Sequence, residues 1–136
     1  MSWISQLDGS QFLSLLFPGE PPSLESVELH EIRLESDGPV VRLRFDLPDF
    51  PASPPRKWVD QKFNAVQVEI MGIGVCSVSL NGWSHINIVS IRLTKEGSEI
   101  QLRVRGDTVV VDASFEFIRV AKVSAYCLPE SADRVL

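Results

Sequence analysis

The sequence predicts a mainly β protein: an antiparallel sandwich or partly open barrel of seven to eight strands, preceded by one short N-terminal helix. Three observations carry this. From Val27 onward, apolar and polar residues alternate with a period of two. Turn signals ("SDGP", "NGWSHIN", "KEGSE", "GDT") recur between the alternating runs. Helical spacing, at Phe12, Leu13, Leu16 and Phe17, occurs ahead of the first strand.

The chain has 136 residues, 44% of them hydrophobic and 23% charged, which suits a single folded domain over 1–136 with one core. Ser10 is the expected N-cap of a helix that runs to Phe17 and is stopped by Pro18-Gly19. "PGEPPS" is a rigid connector into a β core spanning 26–127. In "VELHEIRLES", Val27 and Leu29 share a face, and Ile32 and Leu34 return to it only if one residue near His30-Glu31 is extra. That pattern predicts a β-bulge. "VVRLRFDL" then places Val41, Leu43, Phe45 and Leu47 inward and Arg42, Arg44 and Asp46 outward, so these two runs form a hairpin.

A proline-rich loop, "DLPDFPASPPRKW", follows. Beyond it, "NAVQVEIMGI" is a strand with Val66, Val68 and Ile70 on one face. Gly72 and Gly74 mark a bend, and "VCSVSL" reads as a further strand. "INIVSIRLTK" and "IQLRVRG" are the next two. "VVVDASFEFIRVAKVSAYCL" is too long for one flat strand and is expected to bend or bulge between Phe117 and Val120. The tail 129–136 is polar and expected to fray.

Several functional classes are disfavoured. A net charge of -5 argues against nucleic acid, whose phosphates need a basic face, and suits a basic partner. No apolar run approaches the roughly 18–20 residues that span a bilayer. "MSWISQLDGSQFLSLLFPGE" lacks a cationic leader, so a cytoplasmic location without membrane contact is expected. Cys76 and Cys127 are far apart, with neither a CxxC nor a histidine pair nearby; two buried free thiols are expected and no zinc site. No GxSxG, HExxH, phosphate loop or dinucleotide fingerprint is present. His85 reads as an exposed turn residue and His30 as a bulge or sheet-surface residue. Glu28, Glu31, Glu35, Asp46 and Asp49 read as solvated carboxylates. No enzyme, cofactor or metal emerges. Trp3 is expected to join helix to core, whereas Trp58 and Trp83, in loops, are either core plugs or interface anchors.

The order of elements resembles the immunity protein 50 family of bacterial polymorphic toxin systems. "SLESVELHEIRLESDGPVVRLRFDLPDFPASPPRKW", "FNAVQVEI", "GVCSVSLNGW" and "FIRVAKVSAY" carry the resemblance, from about Ser10 to Tyr126. It implies a protein that binds a cognate toxin domain and blocks it, without cofactor or catalysis. On that reading the proline-rich loop is preorganised for binding, with Phe50 and Trp58 as anchors and Asp46 and Asp49 as polar contacts. Trp83 and Tyr126 would extend the same surface. A stiff crossover with Trp58 packed inward is the plainer reading of the loop. Two other functions stay open: a β-barrel carrier holding a small apolar ligand, and a hydrolase with a dispersed site. Oligomeric state is not specified.

Overall fold

The computed structural model describes residues 3–129. Six antiparallel strands close into one barrel: β1 (Val27–Glu35), β2 (Val40–Asp46), β3 (Ala65–Asn81), β4 (Ile88–Glu96), β5 (Glu99–Gly106) and β6 (Val110–Tyr126), in the order β1-β2-β3-β6-β5-β4. The last four strands follow a Greek-key order, in which β4, β5 and β6 are joined by hairpins and β3 returns beside β6. The mainly β, antiparallel architecture is as expected, and of the barrel and sandwich alternatives the chain forms the barrel, closed and not partly open.

Six strands replace the expected seven to eight because the Gly72–Gly74 bend does not break the ladder. β3 pairs with β6 on both sides of it, from Ala65↔Tyr126 to Asn81↔Val110. Gly72 is required there by packing: a Cβ at this position would lie 2.7 Å from the Phe115 ring, which crosses the inside of the wall. Cys76 is the extra residue where the β3 register shifts, between Val75↔Phe115 and Ser77↔Ser114. In β6 the extra residue is Ala121, one position beyond the expected bend. The bulge expected near His30-Glu31 is present: Leu29 pairs with Phe45 and Glu31 with Arg44, leaving His30 as the extra residue.

The interior is filled by Leu29, Leu43, Phe45, Ile70, Leu102 and Phe115, all essentially inaccessible. Each such burial contributes about 1.5–3 kcal/mol. A 3-10 turn (Ile4–Gln6) and helix α1 (Gln11–Leu16) close one end with Ile4, Leu7, Leu13 and Leu16. Ser10 precedes α1 as expected, but its side chain makes no capping hydrogen bond. Trp3 reaches the core as expected, edge-on to Phe45, with its indole N–H donating to the Pro22 carbonyl at 2.8 Å. Asp8 pairs in parallel with Arg119 and covers a stretch of β6.

A second helix, α2 (Arg56–Asp60), lies inside the proline-rich loop, where only irregular structure was expected. Pro55 sits just ahead of it, a position in which its missing N–H costs no helical hydrogen bond. Cys76 and Cys127 are both exposed free thiols, correcting the expectation of buried ones. Each lies where alternation fails, at the β3 bulge and just past the end of β6. Among the described residues, no helix is long and apolar enough to cross a membrane. Most of the tail expected to fray, from residue 130 on, lies outside the described residues.

Candidate functional site

The outer wall of β1, β2 and β3 carries a continuous polar network. Arg42 donates to Glu35 at 2.7 Å and to Glu69 at 3.2 Å, and Arg44 donates to Glu31 and Gln67, each at 3.3 Å. The Gln67 amide then donates to Asp46 Oδ1 at 3.2 Å. These residues alternate outward along neighbouring strands, so the strand register places them side by side.

The network ends in a cluster around Asp46. Its carboxylate, buried at 6% exposure, accepts from the Tyr126 hydroxyl and lies 2.9 Å from His30 Nε2. The bulge brings His30 there: as the extra residue of β1, it leans toward the β2 end while Leu29 and Ile32 keep the inner face. No acceptor lies along the Nε2–H direction, so the His30–Asp46 contact is one of charge and proximity more than of alignment. Asp46 at hydrogen-bonding distance holds the imidazole above its ordinary pKa, against burial, which would lower it. For Asp46, burial alone would raise the carboxyl; His30, Tyr126 and Gln67 outweigh it and hold the carboxyl below its usual value.

This cluster is a convergent group of ionisable side chains of the kind a dispersed hydrolase would need, but the raised His30 pKa leaves less of its imidazole free to act as a general base. His30 Nδ1 lies 3.9 Å from Glu28, so both ring nitrogens face carboxylates, which favours the protonated form of the ring. A protonated imidazole is a poor general base. The Ser77, Ser84 and Ser114 hydroxyls and the Cys76 and Cys127 thiols make their hydrogen bonds elsewhere. Cys76 stands elsewhere, its thiol pushed up by Glu99, by burial and by Glu116. Glu28, His30 and Asp46 also present ligand atoms within 4.8 Å of one another. Asp46 already accepts from Gln67 at Oδ1 and from Tyr126 at Oδ2, which leaves it fewer lone pairs for a cation.

Beside the cluster, a cleft of about 300 Å³ is lined by Glu28, Asp46, Asp49, Phe50 and Ile88, among others, and its lining includes no Lys or Arg. A second, larger cleft of about 770 Å³ adjoins it, sharing Asp49 and Phe50 and adding Glu20, Glu25, Phe17 and Arg92. Asp49-Phe50 therefore forms the ridge between two largely acidic depressions. Ile88, half exposed, also lines a small cleft with Ile86 and Asn87, so the acidic face runs into an apolar rim.

The six residues singled out from sequence fall into three places. Asp46 and Tyr126 meet in the buried cluster. Asp49 and Phe50 form the ridge, with Asp49 exposed. Trp58 is only 9% exposed and packs against Phe12 and Phe50, with ring centroids 5.8 and 6.0 Å away; it supports the ridge from within. Trp83 is 46% exposed on the loop that leads to Ile86 and Ile88. Gly82 makes that loop possible: its φ is +81, and a Cβ at this position would lie only 2.1 Å from the Thr108 carbonyl oxygen. Glu28, His30, Ile86 and Ile88 were missed. Ile88 had a readable signal, since it occupies the outward phase of a strand whose inward phase is Val89, Ile91 and Leu93, and Ile86 precedes that strand in the same phase.

A small closed barrel with a filled interior, a paired polar wall and an acidic, apolar-rimmed face has the form of a binding scaffold. A ligand carrier would need an empty apolar interior, and here Phe45 and Phe115 help to fill it. The chain belongs to the immunity protein 50 family, whose profile matches residues 9–126. No curated protein and no solved structure matches it.

Proposed function

We infer that the protein neutralises a cognate toxin domain of a bacterial polymorphic toxin system by binding it through the face centred on Asp49 and Phe50. Family membership supports an immunity role and, with it, a toxin partner in general. The observation that carries the choice of face is the cleft holding Glu28, Asp46 and Asp49 with no cation in its lining, bordered by Phe50 and Ile88. Carboxylates there attract a basic partner and accelerate encounter, while the apolar rim slows dissociation once water is excluded. The proline-rich loop keeps Asp49-Phe50 in place before binding, which reduces the ordering cost. The buried Asp46 cluster fixes the wall beneath. Such a protein acts in the cytoplasm of the producing cell and needs no cofactor.

A tagged copy should retain, from the producing cell, one stoichiometric partner with a toxin-like C-terminal domain. With that domain purified, Asp49→Lys is expected to slow association about tenfold and to flatten its salt dependence. Phe50→Ala and Ile88→Asp should each weaken binding about tenfold or more through faster dissociation, measured at a temperature where both remain folded, since Phe50 also packs on Trp58 and Ile88 stands opposite Glu28. If all three variants bind like the parent protein, the toxin docks on another face.

A further inference from the structure

Several stretches of strand in the barrel have a free side, and two of them, in β1 and β3, are built differently. β1 pairs with β4 only at Val27↔Val89 and Glu28↔Ile88, so its later residues have no strand on that side among the described residues. That stretch carries Glu31, Arg33 and Glu35, the kind of charge that discourages edge-to-edge pairing. β3 pairs with β2 as far as Ile73, and the Gly74 and Val75 amides donate to the Pro39 carbonyl; beyond that its free side is open among the described residues. From Cys76 to Asn81 every residue is exposed. No Asp, Glu, Lys or Arg occurs anywhere from Ile70 to Ile91. Past the Cys76 bulge, the Ser77–Asn81 ladder to β6 is regular, so half its backbone groups point outward in strand geometry. Val78 and Leu80 lie across from the buried Ala113 and Val111, on the inner face, yet they are 39% and 48% exposed because β2 ends before reaching them.

We propose that this edge pairs with the same edge of a second copy, giving a two-fold dimer with a sheet continuous across the interface. Charge decides the occupant. A basic toxin gains little from the uncharged Ser77–Asn81 edge and is drawn to the acidic clefts. Glu99 and Glu116 stand beside Cys76, but an antiparallel register sets that end of one copy against the far end of the other, so the carboxylates of two copies stand at opposite ends of the seam. Register agrees with symmetry. Antiparallel self-pairing about Ser79 sets Val78 opposite the partner's Leu80, and Leu80 opposite the partner's Val78, on one face. The same register sets Ser79 opposite itself and Ser77 opposite the partner's Asn81 on the other face. A five-residue edge is small for an interface, so the dimer is weak and concentration-dependent.

Sedimentation of the full chain from micromolar to millimolar concentration should show a monomer–dimer equilibrium that strengthens with salt as self-repulsion is screened. Leu80→Lys should raise the dimer dissociation constant at least about tenfold with unchanged Tm, since the side chain is already half exposed. In a Cys76→Ser, Cys127→Ser background, Ser79→Cys should form an inter-chain disulfide under mild oxidation, whereas Ser98→Cys, in the exposed β4–β5 turn, should not. A chain that stays monomeric throughout, or a dimer indifferent to Leu80→Lys, overturns the proposal. So does a monomer whose toxin binding is lost in Leu80→Lys, because the edge would then serve a strand of the toxin.

Discussion

Phe115→Ala is expected to lower the unfolding free energy by about 3–5 kcal/mol, a large part of the roughly 5–15 kcal/mol typical of a domain. Phe115 is 1% exposed and its ring lies against Gly72 on the opposite strand, so truncation opens a hole lined by rigid wall. The reciprocal change tests the same contact. A Cβ at Gly72 would come within 2.7 Å of that ring, and Gly72→Ala should cost about 1–3 kcal/mol by overpacking. Combined with Phe115→Ala, most of the Gly72→Ala penalty should vanish, because the atoms it meets are gone. Urea denaturation of the four proteins would measure the coupling. Strict additivity would mean that Gly72 is required by its backbone and not by the ring.

The second large effect concerns the Asp46 cluster and is read in pH. His30 has a raised pKa, so its contribution is complete below its ordinary 6.5 and is lost as pH climbs through the raised value. Asp46 has a lowered pKa, so its contribution is present above its ordinary 3.8 and is lost as pH falls through the lowered value. The pair therefore stabilises most between about pH 4 and 6.5. Asp46→Asn keeps the shape, removes the charge and leaves His30 and the Tyr126 hydroxyl poorly matched. The expected cost is about 3 kcal/mol inside that window, shrinking as pH rises past the point where His30 loses its proton. Thermal melts from pH 4 to 8 would show it. Parallel pH profiles for the two proteins would mean that His30 does not depend on Asp46.

Alternation alone makes most of the barrel wall legible. The β1–β2 hairpin and the bulge at His30 could be read because one slipped residue inverts every side chain beyond it. Strand number could not. Gly72 looks like a break in one dimension, and only Phe115, over forty residues away, shows that it is a clearance inside one long strand. Helix α2 was hidden for a similar reason: five residues directly after four closely spaced prolines carry too few periods to register. In the candidate site, Asp46, Asp49, Phe50 and Tyr126 could be picked out by residue type and position. Their partners could not, since Glu28 and His30 join them through strand register, and Ile88 through barrel closure.

That closure is thin. Only two residue pairs, Val27↔Val89 and Glu28↔Ile88, join β1 to β4, flanked by amides from Leu29 to Asn87 and from Ile91 to Leu24. The β3–β6 ladder, in contrast, runs the full length of both strands. The molecule should therefore have two levels of opening. Hydrogen exchange at Val27, Leu29 and Ile91 is expected to proceed through a partial opening well below the global unfolding free energy, while Val68, Ile70 and Ile118 exchange only on complete unfolding. Because Glu28 and Ile88 flank that seam and line the acidic cleft, a toxin seated there would bridge the join, and binding would be seen first as slowed exchange along it.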